Sequence, residues 1–203
     1  DEIQYTLLHT NKGFFYSLKK IIQNPGKTTK EFLEGNRVNH YKPILLVFVL
    51  AGISTFISFN WLHMDEMMTE FFKNSQLNKD SDNSVVESMS SLYNYTTILI
   101  MGFIPFLSIS SLIAFRKQGH NYFEHVIINC FLYALLLIIT ILVISPILYF
   151  VKDPGAYIFI TFVSIIIIPI LMIWQFKGLY PTLSWSAIIG RTMLASFISF
   201  LLY

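Results

Sequence analysis

One formal charge interrupts the apolar C-terminal run Leu179–Tyr203: Arg191. An ionisable side chain at membrane depth is expensive and marks a candidate site by default. With a helix starting near Leu183, Arg191 lies about 12 Å along it at 1.5 Å per residue. Three roles are open to it: snorkelling to the headgroups, a structural ion pair, or contact with an anionic ligand or lipid. A second constellation is RKQGHNYFEHVIIN, residues 116–129. His120 and Glu124 are four apart and share a helix face, as do His125 and Asn129. Helix capping and interface pairing are the first expectation for Glu124. His120, Glu124 and His125 are a weak metal set, because two histidines and one acid without a second motif do not specify a site. Arg37, Lys42, Glu124, His125, Lys177 and Arg191 together make the candidate site for an ion pair or for an anionic headgroup or substrate. Either Arg37 or Arg191 is placed to pair with Glu124.

Other chemistry finds little support. The apolar runs hold Ser54, Ser58, Ser108, Ser110 and Ser111, but no run supplies a His, Lys or acid beside one as a base. No phosphate-binding glycine loop, His-Glu-x-x-His or paired carboxylate within the apolar runs occurs. No catalytic residue, cofactor, metal or nucleic-acid partner is therefore expected. The single cysteine, Cys130, excludes an intrachain disulfide and reads as a small buried apolar residue.

The elements that must position these residues are set by composition. The 203-residue chain is 54% hydrophobic and 13% charged, against about 25% charged in soluble domains. Pro43–Leu62, Tyr93–Phe115, Val126–Val151 and Pro154–Phe176 carry no charge, and Leu179–Tyr203 carries only Arg191. Each is long enough for a bilayer, which needs roughly 20 apolar residues. The runs lack the alternation and the short, roughly 10-residue period of barrel strands. The expected fold is all-α: a polytopic membrane bundle of about five transmembrane helices over 43–62, 94–115, 125–150, 155–176 and 183–203. An N-terminal amphipathic and interfacial segment, 1–42, precedes it, and an acidic outer loop occupies 63–92. The first residue is Asp1, so the chain is expected to be part of a longer protein.

Charge orients the bundle. With the N-terminus inside, ten Lys and Arg fall on the inner side and three on the outer, which favours a cytoplasmic N-terminus. Phe14, Phe15, Leu18, Ile21 and Ile22 recur on one helical face, with Lys12, Lys19 and Lys20 largely elsewhere. That face either lies in the inner interface near anionic lipid or packs under the bundle. Asn24, Pro25 and Gly35 read as the cap, first residue and terminator of a short helix over about 25–34, anchored by Phe32 and Leu33. Tyr41, Lys42 and, at the far boundary, Trp61 are interface anchors. Gly102, Pro105 and Pro169 lie inside apolar runs and Pro146 near the end of one, where kinks or freed backbone groups are expected.

The segment NKGFFYSLKKIIQNPGKTTKEFLEGNRVNHYKPILLVFVLAGI resembles an uncharacterised family of bacterial polytopic membrane proteins, a domain of unknown function. Gly13, Phe14, Leu18, Pro25, Gly26, Gly35, Arg37, Tyr41 and Pro43 carry the resemblance over about residues 11–53. NYFEHVIIN, with Glu124 and His125, resembles a second stretch of that family. Many relatives also carry an N-terminal zinc ribbon of two Cys-x-x-Cys pairs; this sequence has none, so no zinc role is carried over. The resemblance implies a membrane fold and no activity. The leading expectation is a non-catalytic accessory or scaffold subunit of a larger assembly in the bacterial inner membrane, in contact with the lipid bilayer and with a membrane-protein partner or a second copy. The alternative is a transporter or lipid-binding protein with an inner-leaflet basic site.

Overall fold

The structure is a computed structural model and describes residues 2–64, 66–67, 69, 96–151 and 154–202. Among them every regular element is helical. In chain order these are α1 (Glu2–Gln23), α2 (Pro25–Leu33), α3 (Pro43–Asn60), α4 (Thr96–Ala114), α5 (Tyr122–Ile139), α6 (Ser145–Val151), α7 (Pro154–Leu179) and α8 (Trp185–Leu202). A turn of π-helix, Thr140–Ile144, joins α5 to α6 without a break. Its cause is visible in the sequence. Pro146 has no N–H, and its ring crowds the carbonyl four residues back, so one widened turn relieves both faults.

Three helices are long and apolar enough to cross a membrane: α3, the continuous Tyr122–Val151 of α5 and α6, and α8. Met101–Ala114 of α4 and Ile166–Leu179 of α7 are shorter apolar stretches. The acidic loop expected over 63–92 lies, beyond residue 69, outside the described residues.

Helix α5 is the hub, packed by α1, α2, α3, α4 and α7, while α8 leans on α4 and α7 at the edge. Burial follows this order: 56% of the apolar window of Tyr122–Val151 is covered, against 22% for α8. Ile128, Phe131 and Ala134 on α5 are fully buried, with Leu46 of α3, Met172 of α7 and Ile188 of α8 in the same core.

The short polar helix α2 is built into this core. Asn24 caps it, its side chain accepting from the Lys27 N–H at 2.9 Å, and Pro25 opens the first turn. Gly35, at φ +112, ends it in the left-handed region that favours glycine. Pro25, Gly26, Thr28, Thr29 and Phe32 are all buried. Thr28 and Thr29 turn their hydroxyls back onto the carbonyls of Asn24 and Pro25 (2.8 Å each), which removes the cost of burying them. Contact with α7 is backbone on backbone. A Cβ on Gly26 would lie 2.6 Å from the Gly178 Cα and from the Leu179 N, and nearer still to the Gln175 carbonyl oxygen. Gln175 then ties three helices: its amide donates to Thr29 Oγ1 of α2 (3.2 Å) and to the Ile128 carbonyl of α5 (2.7 Å).

Helix α1 is docked through the turn that follows α2. The buried Ser17 hydroxyl accepts from the Tyr41 N–H (2.8 Å) and faces His40 Nδ1 at 3.4 Å. His40 is buried among Tyr16 and Lys20 of α1, Glu31 and Phe32 of α2 and Phe131 of α5. Burial holds its imidazole below the ordinary value of 6.5; Glu31, 3.9 Å away, pulls the other way and Lys20 adds to the lowering. A group whose folded value is depressed contributes stability above its unfolded value and loses it as pH falls. The thermal midpoint in neutral detergent is therefore expected to fall as pH drops from 7 through 6.5 and below. His40→Gln should flatten that slope relative to wild type; parallel pH curves for the two proteins would refute this role for His40.

Candidate functional site

The end of the bundle that carries α1 and α2 also gathers the last turn of α4, the first turns of α5 and α8, and the end of α7. Gly119, at φ +84, turns the chain out of the short 3-10 segment Arg116–Gln118. Asn121 and Glu124 then form a capping box for α5. Asn121 Oδ1 accepts from the Glu124 N–H (3.0 Å), and Glu124 Oε2 accepts from the Asn121 N–H (2.8 Å). His120 Nδ1 lies 3.2 Å from the same Glu124 oxygen. Glu124 is thus committed to capping, the role first expected of it.

The basic residues divide. Exposed Arg37 lies over the Phe32 ring at 5.8 Å, and exposed Lys42 opens α3. Lys177 donates to the carbonyls of Pro181 (3.0 Å) and Leu183 (2.6 Å) and lies over Trp185, which fastens the α7–α8 connection. Arg191 lies with its guanidinium carbon 5.9 Å from the Phe115 ring centre. Among the described residues it makes no ion pair, and its buried Nη1 has no hydrogen-bond partner. No group of three His, Cys, Asp or Glu side chains suited to a metal ion is assembled among the described residues.

Of the interface anchors, Phe15, Ile22 and Trp61 are exposed, Phe14, Leu18 and Tyr41 are half-buried, and Ile21 is fully buried. The N-terminal apolar face therefore both packs and projects: Phe14 meets Tyr41 edge-on at 5.6 Å while Phe15 points away.

The expectation that no base lies beside a serine of the apolar runs is corrected. Ser111 Oγ of α4 is 3.0 Å from His125 Nδ1 of α5. The two are only fourteen residues apart, but a connection separates their helices, and the first turn of α5 folds back on the last turn of α4. Asn129 completes a clasp, donating to Ser111 Oγ (3.0 Å), Ser108 Oγ (3.2 Å) and the His125 carbonyl (2.8 Å). All four side chains are fully buried. The arrangement is not that of an activated nucleophile. His125 Nε2 has no partner among the described residues, so nothing orients the imidazole as a carboxylate does in a catalytic triad. Neither serine is open to a substrate.

Two further residues near this end carry buried hydroxyls, Tyr180 and Thr192. Tyr180 follows α7 and stacks with Phe115 (5.6 Å) and Phe176 (6.1 Å), with His120 5.7 Å away. Its phenol is buried without a hydrogen-bond partner among the described residues. Burial raises its pKa; the Glu124 charge raises it further and Arg191 opposes, so the hydroxyl lies in the field of both. The hydroxyl of Thr192, the fully buried residue that follows Arg191 in the chain, also has no partner among the described residues. Buried Ser and Thr elsewhere in these helices back-bond to their own helix, as Thr29, Ser108 and Ser199 do. At the opposite end a groove of about 610 Å³ lies between α3 and α6, lined by Ile57, Asn60, Trp61, Ser145 and Tyr149 among others.

Fold and site together define a helical protein with helices fit to cross a membrane and, at one end, an arginine that makes no ion pair among the described residues. Residues 11–55 match the model of a family described as "Protein of unknown function (DUF3667)". Over that segment the chain is similar to an uncharacterised family, and the segment holds α2, Gly26 and the turn at His40. Neither a curated protein nor a solved structure shows significant similarity to the chain.

Proposed function

We propose that this chain is a five-crossing integral protein of the bacterial inner membrane, N-terminus cytoplasmic, that binds an anionic group at its cytoplasmic end. Five crossings are supported by the helix ends. The starts of α3, α5 and α8 and the ends of α4 and α7 all meet at the α1–α2 end, as alternating crossings require. Helices α4 and α7 have 19 and 26 residues, about 29 and 39 Å. Seven Lys and Arg in residues 1–42 support the orientation. Single cysteines at Arg37, Gln118 and Thr182 should label from one side of sealed vesicles and one at Trp61 from the other; labelling of Thr182→Cys together with Trp61→Cys would break the scheme.

The observation that carries the anion site is Arg191, a cation part-buried in an apolar helix whose inner nitrogen has no partner among the described residues. A buried guanidinium is stable only when its donors are satisfied, and the described side chains leave that acceptor to be supplied by something bound. Wild-type protein purified in neutral detergent should retain anionic lipid in native mass spectra, and Arg191→Ala should lose about tenfold of it, the size of one charged hydrogen bond. Equal retention by the two proteins would refute the site.

The second reading, a non-catalytic accessory subunit of a larger assembly, draws on α8, most of whose apolar window is left uncovered by the chain itself. Stable co-purification of another membrane protein, lost on replacing Phe197 and Phe200 by serine, would favour it.

A further inference from the structure

We propose, independently of the anion site, that the groove between α3 and α6 binds a diacylglycerol, its free hydroxyl held between the Ile141 carbonyl and Ser145. The groove lies between α3 and the continuous Tyr122–Val151, both long and apolar enough to cross a membrane. Its volume, about 610 Å³, is that of a small-molecule site. The first argument is an acceptor that the helix cannot satisfy. In the π-turn the Ser145 N–H goes to the Thr140 carbonyl, five residues back. The Ile141 carbonyl therefore loses its donor at i+4, and at i+5 stands Pro146, which has no N–H. Ile141, Ser145 and Pro146 all line the groove. Ser145 is 5% exposed, and its hydroxyl makes no hydrogen bond among the described residues. Ser108, by contrast, bonds the Ile104 carbonyl four residues back. A carbonyl and a hydroxyl without partners call for a group that donates to one and accepts from the other, and an alcohol O–H does both. Widened turns of this kind are frequent at functional sites.

The second argument is charge. No Lys, Arg, Asp or Glu lines the groove. The hollow that adjoins it, sharing Trp61 and Tyr149, adds one carboxylate, Glu66. An anionic headgroup is repelled there, and the phosphate of a zwitterionic lipid finds neither Lys nor Arg in either hollow. The headgroup that fits is uncharged. The third argument is the rim. Asn60 spends one amide N–H on the Phe56 carbonyl (3.1 Å) and keeps a second, and Trp61, 62% exposed, carries an indole N–H. Such donors suit ester carbonyls, which a diacylglycerol has beside its hydroxyl and a plain long-chain alcohol lacks. Its chains extend over Phe56, Ile147 and Phe150, all exposed apolar residues of the two helices.

The test uses the full chain in neutral detergent at about pH 8, where an ordinary imidazole carries no charge, with bound lipid read by native mass spectrometry. The probes are dioctanoylglycerol, its acetyl ester (which blocks the hydroxyl), phosphatidic acid with the same chains, and dodecanol. Wild type should retain dioctanoylglycerol about tenfold better than the acetyl ester, a discrimination of one or two hydrogen bonds. Ser145→Ala and Pro146→Ala should each bring dioctanoylglycerol down toward the level of the ester. Pro146→Ala supplies the N–H that the π-turn lacks, so it should melt no lower than wild type, which separates lost binding from lost folding. Phosphatidic acid at equal concentration should not displace dioctanoylglycerol, and dodecanol should displace it only weakly. Equal retention of the ester, displacement by phosphatidic acid, or unchanged retention in both variants would overturn the inference. Dodecanol competing as well as dioctanoylglycerol would overturn the choice of a diacylglycerol.

Discussion

Gly26→Ala is expected to unseat α2 and lower the thermal midpoint of the detergent-solubilised protein more than a methyl group added at any other described glycine. The added carbon would meet the backbone of α7, with Gly178 Cα and Leu179 N at 2.6 Å and the Gln175 carbonyl oxygen closer. Side chains can rotate away from such a contact, but backbone cannot, so the helices must separate. Overpacking a core usually costs about 1–3 kcal/mol, and this case belongs at or above the upper end. Separation also breaks the Gln175 bridge to Thr29 and Ile128. The reciprocal change Gly178→Ala meets Asn24 Oδ1 at 2.7 Å and Gly26 Cα at 3.0 Å, and a side-chain oxygen can yield. It should therefore cost less than Gly26→Ala. Gly35→Ala serves as a control of another kind: its strain comes from φ +112, with no atom within 4 Å, so the loss should be about 1 kcal/mol. A Gly26→Ala protein as stable as wild type would mean that α2 does not sit in the bundle.

That contact shows where sequence reasoning reaches and where it stops. The limits of α2 were legible because caps are local: Asn24, Pro25 and Gly35 act on backbone groups within one turn. A capping role for Glu124 was legible for the same reason, although its partner Asn121 was not singled out. The depth of α2 was not. Its composition is polar, and Thr28 and Thr29 read as surface residues until their hydroxyls are found bonded within their own helix. Gly26 in a Pro-Gly pair is an ordinary turn signal; only the arrival of Gly178, far along the chain, makes it a packing residue. Ser111 and His125 were each visible, yet their proximity depends on how α5 returns against α4. Arg191 was found because a charge in an apolar run is conspicuous by composition. Tyr180 and Thr192 carry no such mark, and an unpartnered hydroxyl is a property of the fold. The basic set Arg37, Lys42, Lys177 and Arg191 looked like one site because all lie toward one end. In the structure Lys177 donates to the carbonyls of Pro181 and Leu183, while Arg37 and Lys42 are exposed.

Arg191→Met is expected to stabilise the ligand-free protein while lowering lipid retention about tenfold. The two effects have one cause. The buried guanidinium nitrogen has no acceptor among the described residues, and a charge at the centre of an apolar membrane helix costs about 2.5–3.5 kcal/mol on insertion scales, an upper bound for a residue nearer one end. Against this stands the contact with Phe115 at 5.9 Å, a cation–π interaction of about 0.5–2 kcal/mol. The balance favours the thioether, which fills similar volume and packs against the same ring, so a gain of about 1–2 kcal/mol is expected. The measurement is a pair of thermal melts of delipidated protein, wild type and Arg191→Met, each repeated with added phosphatidylglycerol. Wild type should melt lower without lipid and rise with it; Arg191→Met should melt higher and show no response. Arg191→Lys separates charge from shape, because it keeps the cation and loses the fork, and should respond only weakly. If Arg191 were instead a structural anchor held by Phe115 and solvent, the methionine variant would melt lower than wild type in both conditions. A residue that costs the empty protein stability and returns it when an anion arrives is what the proposed anion site requires of Arg191.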